Sequence, residues 1–219
     1  MSLADLKKEL HPQLFSVLSK EIAELRPAQA KAIRAGLLDG RNMLVCTPTA
    51  SGKTLIAEIA AVNSILNNIG TAVYIVPLKA LATEKYNDFS HRYPFVRSTY
   101  AIGDRDSKDS KLADFDFIVT TSEKLDSLIR HHTPWLKNVK TVIVDEIHLL
   151  NDPGRGPTLE ILITLLRKML PKLQLIGLSA TIGNPHELAD WLDSALVVDE
   201  WRPVELKKGI YSEGKVEFS

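Results

Sequence analysis

The chain lacks three features that would each indicate a particular class of protein: several cysteines, a net charge and long hydrophobic runs. Cys46 is the only cysteine among 219 residues, which excludes an internal disulfide and a metal site built from several thiolates. Lysine plus arginine and aspartate plus glutamate both number 27, so the formal net charge is zero. Because no overall basic field exists, any nucleic-acid site must be made of individually placed donors.

No apolar run approaches the roughly 18 residues that a membrane span requires, and the charged N-terminus does not resemble a signal peptide. A single cysteine fits a reducing compartment. We therefore expect a cytoplasmic protein with no membrane partner. The composition, 45% hydrophobic and 25% charged, is ordinary for a globular protein, and the length allows one large α/β domain.

Short apolar runs alternate with segments of helical periodicity along most of the chain. Strands are predicted at 43–46, 71–76, 96–101, 117–119, 141–144 and 173–178. Helices are predicted within 3–24, from 27 to a stop at Gly40, after the loop at 47–54, through 81–86, and at 122–129, 157–170 and 185–192. This alternation, with strands apolar throughout, is typical of an α/β fold with a mostly parallel sheet and helices on both faces.

The chain divides into three parts by the same pattern. Residues 1–24 form an N-terminal helical segment, and residues 25–200 form the α/β domain. Within that domain, 103–114 is polar and is predicted to be a surface loop. The alternation halts near 201, and the polar residues up to 219 are interpreted as a linker.

The segment 47–54, Thr-Pro-Thr-Ala-Ser-Gly-Lys-Thr, predicts a phosphate-binding loop between a strand and a helix. Gly52 lets the backbone approach phosphates, which the start of a helix attracts. Lys53 can reach the outer phosphates, and the Thr54 hydroxyl suits Mg²⁺. The general pattern begins with glycine where this chain has Thr47, so the loop alone is also compatible with other nucleotide enzymes, including a small-molecule kinase.

Acidic and hydroxyl side chains follow two other predicted strands. Asp145 and Glu146 come directly after 141–144, and the carboxyl end of such a strand is where α/β sheets bind ligands. Asp145 could hold Mg²⁺ opposite Thr54, and Glu146 could orient or deprotonate an attacking water. Ser179 and Thr181 follow 173–178, where their hydroxyls could pair with His148 or simply cap a helix.

Taken in order, segments 47–54, 145–148 and 179–181 resemble motifs I, II and III of superfamily 2 helicases. Segments 25–29, 77–81 and 121–126 are similar to the Q motif and motifs Ia and Ib, and segments 152–160 and 201–206 resemble parts of Ski2-like helicases. Over about residues 20–210 the sequence is most similar to the archaeal Ski2-like DNA helicases of the Hjm type. Threonine at the first loop position is normal in that superfamily.

The resemblance implies a RecA-like first motor domain of an ATP-dependent, 3′→5′ DNA helicase that acts at forks and in recombination repair. Its implied cofactors are ATP and Mg²⁺, and its implied partner is single-stranded or forked DNA. If the source is archaeal, the protein would be associated with the nucleoid. The implied catalytic residues are Lys53, Asp145 and Glu146, and the implied metal ligands are Thr54 and Asp145. Gln29 would read the adenine, and the rest of the nucleotide would be held by Thr49, Ala50, Ser51, Gly52, Lys53 and Thr54.

Two further groups of residues take their roles from the resemblance. His148, Ser179 and Thr181 would couple nucleotide state to movement. The backbone of one nucleic-acid strand would be contacted by Lys79, Gly103, Thr121 and Ser122. For these four the alternatives are a solvated lysine and an ordinary helix cap.

In this family a second RecA-like domain closes over ATP and supplies an arginine finger. We therefore expect residues 1–219 alone to bind nucleotide weakly and to hydrolyse ATP barely, with 201–219 leading into that second domain. Two other functions stay open. One is an RNA helicase of the same branch, since motor contacts go mostly to phosphate and sugar. The other is a non-catalytic nucleotide-binding module, which the combination of Lys53, Asp145 and Glu146 disfavours.

Overall fold

A computed structural model describes residues 1–103, 109–131, 133–204, 209–212 and 215–218, with backbone alone for 109–110, 209–212 and 215–218. The strands β1 to β7 are Met43–Cys46, Thr71–Val76, Ser98–Ala101, Phe117–Thr121, Val139–Val144, Gln174–Ser179 and Ala195–Val198. The helices α1 to α7 are Pro12–Glu21, Pro27–Arg34, Lys53–Leu66, Lys79–Arg92, Ser122–Arg130, Gly156–Met169 and Pro185–Leu192. Short 3₁₀ helices lie at Leu3–Leu6, Asp109–Asp114, Pro134–Asn138 and Ile147–Asn151.

The seven strands form one sheet in the order β3-β4-β2-β5-β6-β1-β7, and every neighbouring pair is parallel. All strands therefore end at the same edge of the sheet, and the loops that follow them meet there. Strand β1 lies between β6 and β7, so the loop after β1 is flanked by the loop after β6. The predicted α/β fold with a parallel sheet is confirmed.

In the inner strands, alternate residues enter two hydrophobic cores on opposite faces of the sheet. In β1, Met43 and Val45 pack in the core formed with α1 to α4, whereas Leu44 and Cys46 pack in the core formed with α5 to α7. In β5, Ile143 faces the first core and its neighbours face the second. Burial on both faces explains why the strands are apolar throughout instead of alternating with polar residues.

One helix boundary and one strand differ most from the prediction. Helix α2 ends at Arg34 and not at Gly40, because the backbone turns at Gly36, whose φ of +96° lies in the left-handed region that favours glycine. Leu37 is buried all the same, which is why the apolar spacing suggested a longer helix. Strand β7 is not predicted by the apolar pattern, since it is short and half-exposed at the edge of the sheet.

The two polar segments contain more structure than predicted. The predicted loop 103–114 includes the 3₁₀ helix at Asp109–Asp114, whose Leu112 is buried, while 104–108 lie outside the described residues. In the segment 201–219, which was predicted to be a linker, Gly209–Ser212 (β8) and Lys215–Phe218 (β9) pair as antiparallel strands. Lys207 and Lys208 lie outside the described residues. In the part of the chain that is described, no helix is both long and apolar enough to cross a membrane.

The N-terminal segment packs on the domain as part of its first core. Leu6, Leu14 and Leu18 are completely or almost completely buried there. The His11 amide donates a hydrogen bond of 2.8 Å to the Asn63 side chain in α3. At the end of α1, Glu21 pairs with Arg92 of α4 at 2.6 Å. These contacts make residues 1–24 one wall of the cleft described below.

Leu14→Ala should therefore destabilise the whole domain. Removing a completely buried leucine leaves a cavity in the core shared by α1 and α3, and such changes typically cost about 2–5 kcal/mol of unfolding free energy. Urea unfolding followed by circular dichroism measures the change. Ser16→Ala, at an exposed position of the same helix, is the control. Equal stability of the two variants would mean that the N-terminal segment does not contribute to the fold.

Candidate nucleotide site and nucleic-acid edge

The loop 47–54 crosses the carboxyl edge of the sheet between β1 and α3. Gly52 has a φ of +92°, a backbone conformation that favours glycine, and a Cβ atom there would also have to displace Nε2 of Gln29, which would lie 2.6 Å away. The hydroxyls of Thr47 and Ser51 are 2.7 Å apart, and the Thr47 amide donates to the carbonyl oxygen of Ser179 at 3.2 Å. At the position where the general pattern has glycine, Thr47 therefore stabilises the loop through its side-chain hydrogen bond to Ser51.

The loop and the helix behind it can hold a phosphate. Helix α3 has 14 residues, starts at Lys53 and has no side-chain hydrogen bond at its N-cap. Its first amide groups and the positive end of its dipole therefore face the loop, an arrangement that favours anions. A cleft of about 1230 Å³ opens beside Gly52 and Thr54, between α1, α2 and α4, and leaves room for the rest of a nucleotide.

A line of polar side chains connects the loop with two neighbouring strand ends. Lys53 Nζ lies 3.6 Å from Glu146 Oε1, and Glu146 Oε2 lies 3.3 Å from His148 Nδ1. The same His148 nitrogen is 3.4 Å from Ser179 Oγ. The structure thus brings together four of the predicted site residues. Thr181 is exposed, beyond the end of β6.

The carboxylate of Asp145 is fixed by two hydrogen bonds. Oδ1 accepts from the Glu146 amide at 3.0 Å, and Oδ2 accepts from the Tyr74 hydroxyl at 2.9 Å. Burial, together with the negative charge of Asp145, raises the pKa of Tyr74 well above its usual value, so the hydroxyl remains a donor. Lys85 Nζ lies 3.5 Å from Thr54 Oγ1. Neither Tyr74 nor Lys85 was predicted from the sequence as part of the site; the one hint was a tyrosine in a strand that is mainly aliphatic.

The donor atoms present fit a magnesium ion better than a transition metal. Thr54 and Asp145 offer only oxygen, which Mg²⁺ prefers. Among the residues the structure describes, no group of three or more His, Cys, Asp or Glu side chains could enclose a metal by itself. A site with few protein ligands is usual for Mg²⁺ that is bound together with phosphates and water.

Gln29 and Arg26 tie the start of α2 to the phosphate loop. Gln29 is 3% exposed; its Oε1 accepts from the Arg26 amide at 2.9 Å, and its Nε2 donates to the Gly52 carbonyl at 3.2 Å. Arg26 donates to the Ala50 carbonyl at 2.6 Å, and its guanidinium lies 5.3 Å from the ring centroid of Trp201. The contact of Arg26 with the loop was not predicted from the sequence either.

The residues predicted to contact nucleic acid follow three adjacent strands. Lys79 is exposed at the start of α4 after β2, and Gly103, with a φ of +87°, follows β3. Thr121 and Ser122 lie at the junction of β4 and α5, and both are buried. The Thr121 hydroxyl accepts from the Lys124 amide at 3.4 Å and so caps α5. A strand bound here would therefore meet backbone amides at this junction more than side chains.

Comparisons with known proteins agree with this geometry. The family model "DEAD/DEAH box helicase" matches residues 26–188. The chain is 53% identical over 202 residues to an ATP-dependent DNA helicase Hel308 of Pyrococcus horikoshii, covering 91% of this chain and 28% of that relative. It is 54% identical over 205 residues to the Hel308 of Methanocaldococcus jannaschii, covering 90% of this chain and 17% of that relative.

A solved structure shows the same fold. The chain superimposes on the DUF1998 helicase MrfA, in a crystal structure with DNA and AMPPNP, with a TM-score of 0.77 and 27% sequence identity. The match covers 88% of this chain and 30% of MrfA. This chain thus spans less than a third of the length of each of these proteins.

Proposed function

This chain belongs to the DEAD/DEAH box helicase family, and from this we propose that it is the first, ATP-binding motor domain of an ATP-dependent DNA helicase. The observation that carries the proposal is the position of Lys53, at the start of α3, 3.6 Å from Glu146 at the end of β5. A phosphate-binding lysine and an acidic residue that can activate water thus face each other across one edge of the sheet. A binding module without catalysis would not need this arrangement.

Each residue of the site has a task in this proposal. The phosphates would lie on the loop around Ser51 and Gly52, and Thr54 and Asp145 would hold Mg²⁺. When bound, the ion would neutralise the charge that develops on the transferred phosphoryl group. The base would lie in the cleft, toward Gln29.

The pair of Lys53 and Glu146 suggests how the nucleotide switches the site on. A triphosphate carries more negative charge than one carboxylate, so Lys53 would leave Glu146 for the phosphates. Glu146 would then be free to orient the attacking water and to take its proton. His148, which contacts both Glu146 and Ser179, would transmit that change along the edge of the sheet.

The proposed partner is DNA, single-stranded or forked, because the Hel308 relatives are named DNA helicases and the matching MrfA structure holds DNA. The strand would cross the junctions at Lys79, Gly103 and Thr121, and the protein would act with DNA inside the cell. A second RecA-like domain would complete the motor. Competition between DNA and RNA strands of matched sequence tests the choice of partner, and a preference for RNA would overturn it.

Lys53→Ala tests the nucleotide site in this chain. A hydrogen bond to a charged group is worth about 1.5–3 kcal/mol, so the dissociation constant of ATP should rise by about 10- to 100-fold. Titration with a fluorescent ATP analogue measures the affinity. Lys172→Ala, at an exposed position just before β6 and therefore at the other edge of the sheet, is the control. Unchanged affinity of Lys53→Ala would overturn the proposal.

A further inference from the structure

We propose that Tyr74 is a positioning residue of the magnesium site, and that its hydroxyl fixes the orientation of the carboxylate of Asp145, one of the two proposed metal ligands. This inference rests on the proposed function and adds to it a residue from a different element: Tyr74 is on β2, whereas Thr54 is in α3 and Asp145 follows β5. Tyr74 is 2% exposed and belongs to the first core. Its side chain acts through Asp145 and would not touch the nucleotide.

The position of the hydroxyl is set by the sheet. Strands β2 and β5 are neighbours, with Tyr74 opposite Ile143, and the Asp145 amide donates to the Ile75 carbonyl at 2.9 Å. This register places the Tyr74 backbone two residues behind Asp145 along the strands. A tyrosine side chain that leans toward the carboxyl edge has the length to reach the Asp145 side chain, and its hydroxyl lies 2.9 Å from Oδ2.

The ring of Tyr74 is held from two sides. Phe117 of β4 lies against it, with ring centroids 6.2 Å apart, and Lys85 Nζ of α4 lies 6.0 Å from the ring centroid. A side chain packed in this way cannot easily change its rotamer. The hydroxyl is therefore a fixed donor, and it fixes its acceptor.

The chemistry of the hydroxyl suits this task better than a cation would. A lysine or arginine bonded to Asp145 would neutralise its charge, whereas a neutral phenol orients the carboxylate and leaves its charge available. With the Glu146 amide on Oδ1, each carboxylate oxygen has one donor and keeps further lone pairs. Mg²⁺ demands near-ideal octahedral geometry, so a carboxylate with a fixed plane lowers the cost of binding it.

Packing alone does not explain a tyrosine at this position. Phenylalanine would fill the same volume in the core without a buried polar group that needs a partner. The Tyr74 hydroxyl donates to Asp145, the carboxylate that we propose as a metal ligand. Its placement is therefore explained by the orientation of Asp145.

Tyr74→Phe tests the inference by the effect of Mg²⁺ on nucleotide affinity. Loss of an outer partner of a metal ligand typically costs about 10- to 100-fold in metal affinity. We expect the Mg²⁺ concentration for half-maximal gain in ADP affinity to rise by at least about 10-fold, with the affinity measured in EDTA unchanged. Titrations of this chain with ADP at a series of Mg²⁺ concentrations give both values.

Tyr93→Phe is the matched control. Tyr93 is a buried tyrosine of the same core, and its hydroxyl donates to a carboxylate oxygen of Glu58 at 3.1 Å, away from Asp145. Both variants should lower the melting temperature, because each removes the hydrogen bond that a buried tyrosine hydroxyl donates to a carboxylate. Only Tyr74→Phe should change the Mg²⁺ dependence. Asp145→Asn should abolish that dependence and so gives the upper limit of the effect.

Two results would overturn the inference in different ways. If Tyr74→Phe and Tyr93→Phe lower the melting temperature alike and neither changes the Mg²⁺ dependence, the Tyr74 hydroxyl is only structural, and the proposed function stands. If the unmodified chain binds ADP equally well in Mg²⁺ and in EDTA, the magnesium site itself is wrong, and the role of Tyr74 is wrong with it.

Discussion

Residues 1–219 alone should hydrolyse ATP about 10³- to 10⁵-fold more slowly than a protein in which a second motor domain follows them. This range is what an arginine finger is typically worth in phosphoryl transfer. At the edge of the sheet described here, the cation that faces Glu146 is Lys53, and in our proposal Lys53 holds the ground-state phosphates. The charge that develops in the transition state therefore needs a further donor from outside this domain.

Steady-state phosphate release in the presence of single-stranded DNA measures the difference. Nucleotide binding by the isolated chain is the control, since it shows that low turnover does not result from an unfolded site. Rapid DNA-stimulated hydrolysis by residues 1–219 alone would show that this domain contains every group that the reaction needs, and the two-domain mechanism would be wrong.

Glu146→Gln in the complete motor should lower ATP turnover by about 10²- to 10⁴-fold, the usual contribution of a general base. Glutamine keeps the size of the side chain but cannot accept the proton of the attacking water. Nucleotide affinity should stay the same or increase, because Lys53 loses a competing partner at 3.6 Å. A large change in turnover without loss of binding distinguishes a catalytic role from a structural one.

Pre-steady-state measurement of ATP binding and of phosphate release separates the two effects. Glu160→Gln, at an exposed position on α6, removes an acidic group outside the site and should leave both rates unchanged. If Glu146→Gln hydrolyses ATP as fast as the unmodified protein, the water is activated elsewhere, and the reading of the chain as a non-catalytic module or scaffold gains support.

The fold could be predicted because its strands are buried on both faces and are therefore apolar without interruption. That signal is strong for β1, β2 and β5, which lie inside the sheet. It fails for β7, because an edge strand is half-exposed and short, and its pairing with β1 depends on residues far away in sequence. It also fails at Gly36, where one backbone angle ends α2 before its apolar spacing ends.

The site could be predicted only where its chemistry lies in a contiguous motif. Lys53 and Thr54 belong to one loop, and Asp145 and Glu146 to one strand end, so sequence spacing was enough to pair them. Tyr74 and Arg26 act on those motifs from other elements, through distances of 2.9 Å to Asp145 and 2.6 Å to the Ala50 carbonyl. Such contacts depend on register and helix packing, which a single sequence does not specify.

The place of β1 in the sheet has a consequence for synthesis on the ribosome. Strand β1, with the phosphate loop at its end, is made first, but its neighbours β6 and β7 come last: Met43 pairs with Ile176 and with Ala195. While the chain is being made, the loop has no sheet behind it until nearly all strands have left the exit tunnel. Non-local pairings of this kind are slow to form and leave apolar strands exposed meanwhile. The nucleotide site therefore forms only after β6 and β7 have been made, and β1 is the strand of this sheet that waits longest for its neighbours.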